Sequence, residues 1–137
     1  MKLVKTLWLV CALFVSGAVF ARTPEPIVNY PNVAIAAASG KSLSADDTQK
    51  LIRTVGAARG WVIAEAADGK LLAKKSWNNK HTIVAEIAFS AGTYSITYRD
   101  SVAMNYGETN GVPVIHPHYN KFVREFVDAI RLEQMML

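Results

Sequence analysis

The stretch WVIAEAADGKLLAKKSWNNKHTIVAEIAFSAGTYSITYR, residues 61–99, decides the fold. Branched and aromatic residues alternate with small or polar ones, the period-2 pattern of strands with one buried face. Asp68-Gly69 breaks the pattern first, and it is the strongest hairpin signal in the chain, because both central positions of a type I′ turn need positive φ. Asn78-Asn79 reads as a second two-residue turn and Ala91-Gly92 as a third reversal. The stretch therefore predicts four antiparallel strands in sequence order.

Turn length sets register, and register decides which side chains meet the core. Two-residue loops at the first two turns and a four-residue third reversal put Trp61, Ile63, Leu72, Ser76, His81, Ile83, Ala85, Ile87, Phe89, Tyr94, Ile96 and Tyr98 on one face. Glu65 and Lys74 fall on that face too, a conflict that a bulge or a rim position would resolve. The other face, with Val84, Glu86, Ala88, Ser95, Thr97 and Arg99, is small and polar, suited to water or to docking.

A helix is expected on either side of the meander. Ser44, with Asp47 three residues on, makes a capping start; Leu51, Ile52 and Val55 form an apolar stripe, and Gly60 ends it. The second helix begins at Pro117, whose missing N–H costs nothing at a first helical position. Tyr119, Phe122, Val123, Phe126, Val127 and Ile130 then recur at helical spacing. The expected fold is α+β: a four-stranded antiparallel meander sheet with two helices packed on one face. Residues 22–31, RTPEPIVNYP, are expected as an extended lead-in, and 32–137 as a single domain that includes a candidate strand at 32–39. Residues 100–116, punctuated by Gly107, Gly111 and Pro113, are expected as a long irregular loop.

Residues 1–21, MKLVKTLWLVCALFVSGAVFA, read as a signal peptide cleaved after Ala21. Lys2 and Lys5 supply its positive end, and the apolar run Leu7 to Val15 is too short for a span of about 20 residues. The chain's one cysteine, Cys11, lies within it; Val10 before it and Trp8 three back do not make a lipidation site. The mature chain then has no cysteine, which excludes disulfides, thiolate nucleophiles and Cys-ligated metals. Setting Lys2 and Lys5 aside leaves 13 basic and 11 acidic residues, a formal charge of +2 with no run of like charge. Lys70, Lys74, Lys75 and Lys80 read as solvated residues that discourage edge-to-edge pairing. The expectation is a periplasmic or secreted protein with no stable transmembrane segment after cleavage and no nucleic-acid partner.

Chemistry concentrates in PVIHPHYNKFV, residues 113–123. His116 and His118 flank Pro117; at a helix start their rings would diverge by about 200°. His81 opens a strand and could approach them, which allows a three-histidine metal site completed by Asp100 or Glu108. Nothing in the spacing demands one, and no cofactor is expected. The simpler reading has His81 and His116 bonding loop backbone while His118 faces solvent. Asp100, Ser101 and a histidine are the residue types of a hydrolase, without the G-x-S-x-G elbow. Glu65 and Glu86 fall on opposite sheet faces and make no glycosidase pair. Tyr94, Tyr98, Tyr106, Tyr119, Trp61 and Trp77 are amphipathic rings suited to sugars, peptides or protein surfaces, and equally to the edge of a core.

RGW, KHTIVAEI, YSITYRDS, NY and IHPHYNKFV, in that order between Arg59 and Ile130, resemble a family of small bacterial secreted proteins and lipoproteins. The resemblance implies an envelope location and an α+β domain, and carries no activity. It departs from the pattern in lacking a lipobox and in having Phe122 where a tryptophan is usual. The polar positions that match are His81, Asp100, Ser101, Asn105, Tyr106, His116, Tyr119 and Asn120, the candidate binding residues. The expected function is a non-catalytic binding or structural domain of the cell envelope, with an envelope protein or small ligand as partner; the alternative is a weak metal binder or small hydrolase using His81 and His116. The apolar stripe of the last helix predicts that Phe126→Ala costs about 3–5 kcal/mol in urea unfolding; a soluble variant of wild-type stability would refute that core assignment.

Overall fold

The computed structural model describes residues 22–137, so the expected signal peptide, with Cys11, lies outside the described residues. Its elements run β1 Glu25–Pro26, β2 Tyr30–Ala34, α1 Ala45–Ala58, β3 Val62–Glu65, β4 Leu71–Trp77, β5 His81–Ser90, β6 Thr93–Val102, β7 Gly107–Thr109, β8 Val112–Ile115 and α2 His118–Gln134. The fold is α+β and every strand pair is antiparallel. The strands form two sheets, not the single four-stranded sheet expected: β2-β6-β5-β4-β3 and β1-β8-β7.

The expected meander is β3 to β6. The fifth strand, β2, lies against β6 with Val33 opposite Tyr94, and bulges at Asn32, whose N–H donates to Ser95 Oγ at 2.9 Å. The small sheet corrects two expectations. Residues 107–115 are a hairpin, not an irregular loop: Asn110 and Gly111 take φ of 52° and 78°, and Thr109 faces Val112. Asn-Gly is the best type I′ signal there is; the glycines and Pro113 had read as punctuation instead. The stretch 22–31 holds β1 and the first two residues of β2, with Glu25 opposite Ile115. Pro26 is tolerated because β1 is an edge strand.

Both of the first two hairpin loops have three residues, not two. The Ala66 N–H donates to the Lys70 carbonyl at 2.8 Å around Ala67, Asp68 and Gly69, of which Gly69 alone has positive φ, 80°. Trp77 stands opposite His81 around Asn78, Asn79 and Lys80. The first extra residue flips β4: Leu71 and Ala73 are fully buried, while Lys74 and Ser76 are exposed. The second flips the register back, so Ile83, Ala85 and Ile87 of β5 are buried as expected. Lys74 thereby leaves the core. Glu65 keeps its inward register opposite Leu71 but sits at the rim, where Arg53 Nη2 and Gln49 Nε2 donate to its Oε1 at 3.2 and 3.0 Å.

Ser44 Oγ caps α1 by accepting from the Asp47 N–H at 3.1 Å. The fully buried Thr48 hydroxyl donates to the Ser44 carbonyl at 2.8 Å and accepts from the Gly92 N–H at 2.9 Å, tying the helix start to the β5–β6 turn. Phe126 of α2 is fully buried and stacks on Trp61 at 5.4 Å between centroids. Gly56 lets α1 approach this layer: a Cβ there would lie 2.9 Å from both Ile63 Cδ1 and Phe126 Cζ. Gly56→Ala would raise helix propensity by about 1 kcal/mol, yet overpacking costs about 1–3 kcal/mol. The expected outcome is a lower thermal midpoint; a higher one would show that Ile63 and Phe126 can move aside.

Candidate functional site

A bulge in β6 builds the first half of the site. Ala85 pairs with Tyr98 and Val84 with Asp100, so Arg99 is an extra residue. Tyr98 and Ser101 therefore both take inward register, and their hydroxyl oxygens lie 2.8 Å apart. After β6 the chain kinks, with Ala103 and Asn105 at φ of 56° and 52° around the buried Met104. The kink is held from two sides: His81 Nδ1–H donates to the Ala103 carbonyl at 2.8 Å, and the His116 N–H donates to the Met104 carbonyl at 2.8 Å. It returns Tyr106 to lie flat on Tyr98, with centroids 4.7 Å apart and planes 8° apart. Tyr119 meets Tyr98 edge-on at 5.5 Å. Its hydroxyl is buried without a partner among the described residues, and burial pushes it well above the usual phenol range. Burial raises Tyr98 too, against the opposing Ser101 bond.

Tyr106 is 51% exposed, and beside it runs a groove of about 280 Å³ lined by Ile27, Asn29, Tyr98, Tyr106, Val112 and Pro113. The Tyr98 N–H donates to Asn29 Oδ1 at 3.1 Å, fastening one wall to the floor. Two walls come from segments that no sequence pattern connects: residues 27–29 and the β7–β8 hairpin.

The histidines form the second half, and they meet. His116 and His118 do not diverge; their ring centroids are 4.5 Å apart. His116 precedes α2 and turns back over it, its Nδ1 accepting the His118 N–H at 3.1 Å. It thus caps a helix whose own cap position, Pro117, has no side-chain hydrogen bond. His118 is half-buried rather than in solvent, with Nε2 3.3 Å from Arg22 Nη1. A guanidinium only donates, so this nitrogen accepts. Trp77 gathers the group: it stacks on His81 at 5.2 Å and meets Phe122 and His118 edge-on at 5.0 and 6.2 Å. Burial lowers the titration of His116, with Arg22 and His81 adding to it and Glu25 opposing. Burial also lowers His118, reinforced by His116, Arg22, Lys121 and His81.

These bonds weigh against the metal and hydrolase alternatives. A neutral imidazole that accepts at Nδ1 carries its proton on Nε2, so His116 offers a metal no lone pair while it caps α2. Among the described residues, no group of three His, Cys, Asp or Glu is arranged to hold a metal ion. Ser101 Oγ is engaged by Tyr98, and Asp100, exposed on the far side of the bulge, accepts the Ser101 N–H at 2.8 Å. The Ser101–His pair of a nucleophile and its base is not formed.

The candidate residues therefore divide. Ser101, Tyr106 and Tyr119 join Tyr98; His81, Asn105 and His116 shape the kink that delivers Tyr106; Asp100 stands apart. Asn120 is 7% exposed and acts as a clip, its Oδ1 accepting the Val28 N–H at 2.9 Å and its Nδ2 donating to Glu25 Oε1 and the Pro26 carbonyl at 2.9 and 2.8 Å. Trp77, Phe122, Tyr98, Ile27 and Asn29 were absent from the candidate group. Tyr98 was legible as an inward aromatic, while the bulge that brings Ser101 beside it was not; Ile27 and Asn29 carried no signal. Comparison of the chain with protein-family models, with curated proteins and with solved structures returns no match. No helix among the described residues is long and apolar enough to cross a membrane.

His116→Ala removes the cap, at an expected cost of about 1–2 kcal/mol at pH 8. The lowered titration of His116 sets the sign. Its contribution is full above the unfolded imidazole value of about 6.5 and is lost as pH falls through the folded value. The gap between wild type and variant should therefore close in acid, and equal thermal midpoints at pH 8 would refute the cap.

Proposed function

We propose that the protein is an exported, periplasmic cell-envelope domain that binds rather than catalyses, and that the Tyr98–Tyr106 groove takes a small ligand with one flat apolar face, such as a saccharide ring. The half-exposed Tyr106 lying flat on Tyr98 at the edge of a groove of about 280 Å³ carries this reading. A stacked pair is a rigid platform, so little side-chain entropy is lost on binding. Asn29 supplies a polar group at its border, and aromatic rings with a polar edge suit partners that are themselves amphipathic. Export is supported by the charged, apolar and small-residue pattern of residues 1–21, and the non-catalytic reading by the engagement of Ser101 and His116 in structural bonds. A cavity of about 340 Å³ beside α1, lined by Leu43, Leu51 and Leu137 with Lys41, Lys50, Asp47 and Glu133, offers neither an aromatic face nor an unbalanced charge.

Titration of neutral cell-wall oligosaccharides into the protein, followed by amide NMR, should shift the amides of Asn29, Tyr106 and Val112 together. Tyr106→Ala should weaken binding by about fivefold or more, an aromatic contact contributing about 1–3 kcal/mol, and leave thermal unfolding nearly unchanged because the ring is half exposed. Shifts confined to residues outside the groove would overturn the assignment.

A further inference from the structure

Residues 22–30 form a strap across one end of the molecule, and the start of α2 holds it. Asn120, in the first turn of α2, makes three hydrogen bonds to it, at Val28, Glu25 and Pro26. Arg22, near the strap's beginning, meets His118, the first residue of α2. His116 in turn accepts the His118 N–H. In both contacts the imidazole is the acceptor, a role open only to its uncharged form.

We propose that the Arg22–His118–His116 array is an acid-sensitive latch: neutral imidazoles fasten the strap to α2, and their protonation repels Arg22, uncaps the helix and loosens the strap. The surroundings all push the same way but one. Facing the two rings are Arg22 and Glu25 from the strap, His81 from β5 and Lys121 from α2. Lys75 Nζ, from β4, lies 4.9 Å above the Phe122 ring that His118 touches. Glu25 alone would welcome an imidazolium, and its Oε1 is already engaged by the Asn120 amide. The first turn of α2 has no acidic residue, so new positive charge would sit at the positive end of the helix dipole uncompensated. Two imidazolium rings 4.5 Å apart would also repel one another. The titration of both rings is lowered, so the latch is closed above the ordinary imidazole range and opens as pH falls through their folded values.

The strap includes Ile27 and Asn29, one wall of the tyrosine groove, so opening the latch unmakes that wall. That the groove binds a ligand rests on the function proposed above; the latch itself does not, and its test needs no ligand.

The test is amide hydrogen exchange on the purified protein at pH 7.5 and 5.0, corrected for intrinsic rates. The amides to read are Ile27, bonded to the Pro113 carbonyl, and Val28, bonded to Asn120, with core amides of β5 as internal reference. Strap protection should fall relative to the core by about tenfold or more, since each pH unit below the open form's imidazole value of about 6.5, down to the lowered value of the closed form, costs the closed form a factor of about ten per ring. His116→Asn with His118→Gln keeps an acceptor at both places without a titrating ring, and should hold the change under about twofold. Glu25→Gln, which removes the strap's own carboxylate, should keep the wild-type response. Constant strap protection in the wild type, an undiminished response in the double variant, or its loss in Glu25→Gln would each overturn the latch. Should the double variant not fold, the wild type alone decides: ring C–H shifts of His116 and His118 must titrate over the same pH range as the loss of Val28 protection, and separate midpoints refute the proposal. Unchanged strap protection alongside intact saccharide binding would reject the latch and leave the groove standing.

Discussion

A buried carboxamide holds the strap, the start of α2 and the tyrosine groove together. Asn120 is nearly inaccessible, and it satisfies backbone and side-chain groups of a strap more than ninety residues away in sequence. A buried polar group that lost these partners would cost the structure more than the bonds contribute, so the arrangement is close to all-or-none. Because the strap is fixed, β1 can extend the small sheet, Asn29 can meet Tyr98, and the groove acquires its wall. Because Asn120 lies in the first turn of α2, anything that loosens that turn reaches the strap.

One extra residue in β6 serves both faces of the large sheet. Inward, it brings Tyr98 and Ser101 to the same side. Outward, it presents Arg99, whose Nη1 meets Glu86 Oε2 at 2.8 Å, while Lys70 Nζ meets Glu86 Oε1 at the same distance. The Lys70 hydrogen bond is the main reason Glu86 titrates below the usual carboxylate range, against the effect of its partial burial. Lys70, read from sequence as a solvated lysine, thus has a defined partner. Lys75, also read so, has its Nζ donating to the Arg59 carbonyl at 2.6 Å and lying over the Trp61 and Phe122 rings at 5.8 and 4.9 Å from their centroids.

The two register errors show how much a turn motif says and where it stops. Asp68-Gly69 and Asn78-Asn79 locate reversals correctly, because few residues tolerate positive φ. They do not count loop residues: the same dipeptides serve a two-residue turn or a three-residue turn closed by a bulge. The two miscounts cancel after β4, so β5 and β6 keep their inward faces and only β4 is inverted. The resulting Lys74 conflict was the visible trace of the first miscount, and the exposed position of Lys74 resolves it. Glu65 was a true rim residue.

Local signals by themselves determined the two helices, the four-strand meander and most of its buried face, because 3.6- and 2-residue periodicity and capping residues act within a few positions. His81 as a loop-holding residue was legible as well, since a strand start leaves backbone groups nearby to satisfy; the His116 ring, expected on the loop backbone too, caps α2 instead. Tertiary structure alone decided that Glu25–Pro26 is a strand, that the strand expected at 32–39 runs over Tyr30–Ala34, that Tyr106 lies on Tyr98, and that His118 meets Arg22. Each of these depends on a partner supplied from a distant segment: Val28 on Asn120, Asn29 on Tyr98, Arg22 on His118. A two-residue strand has no period to detect, and a groove wall is defined only by what stands across from it.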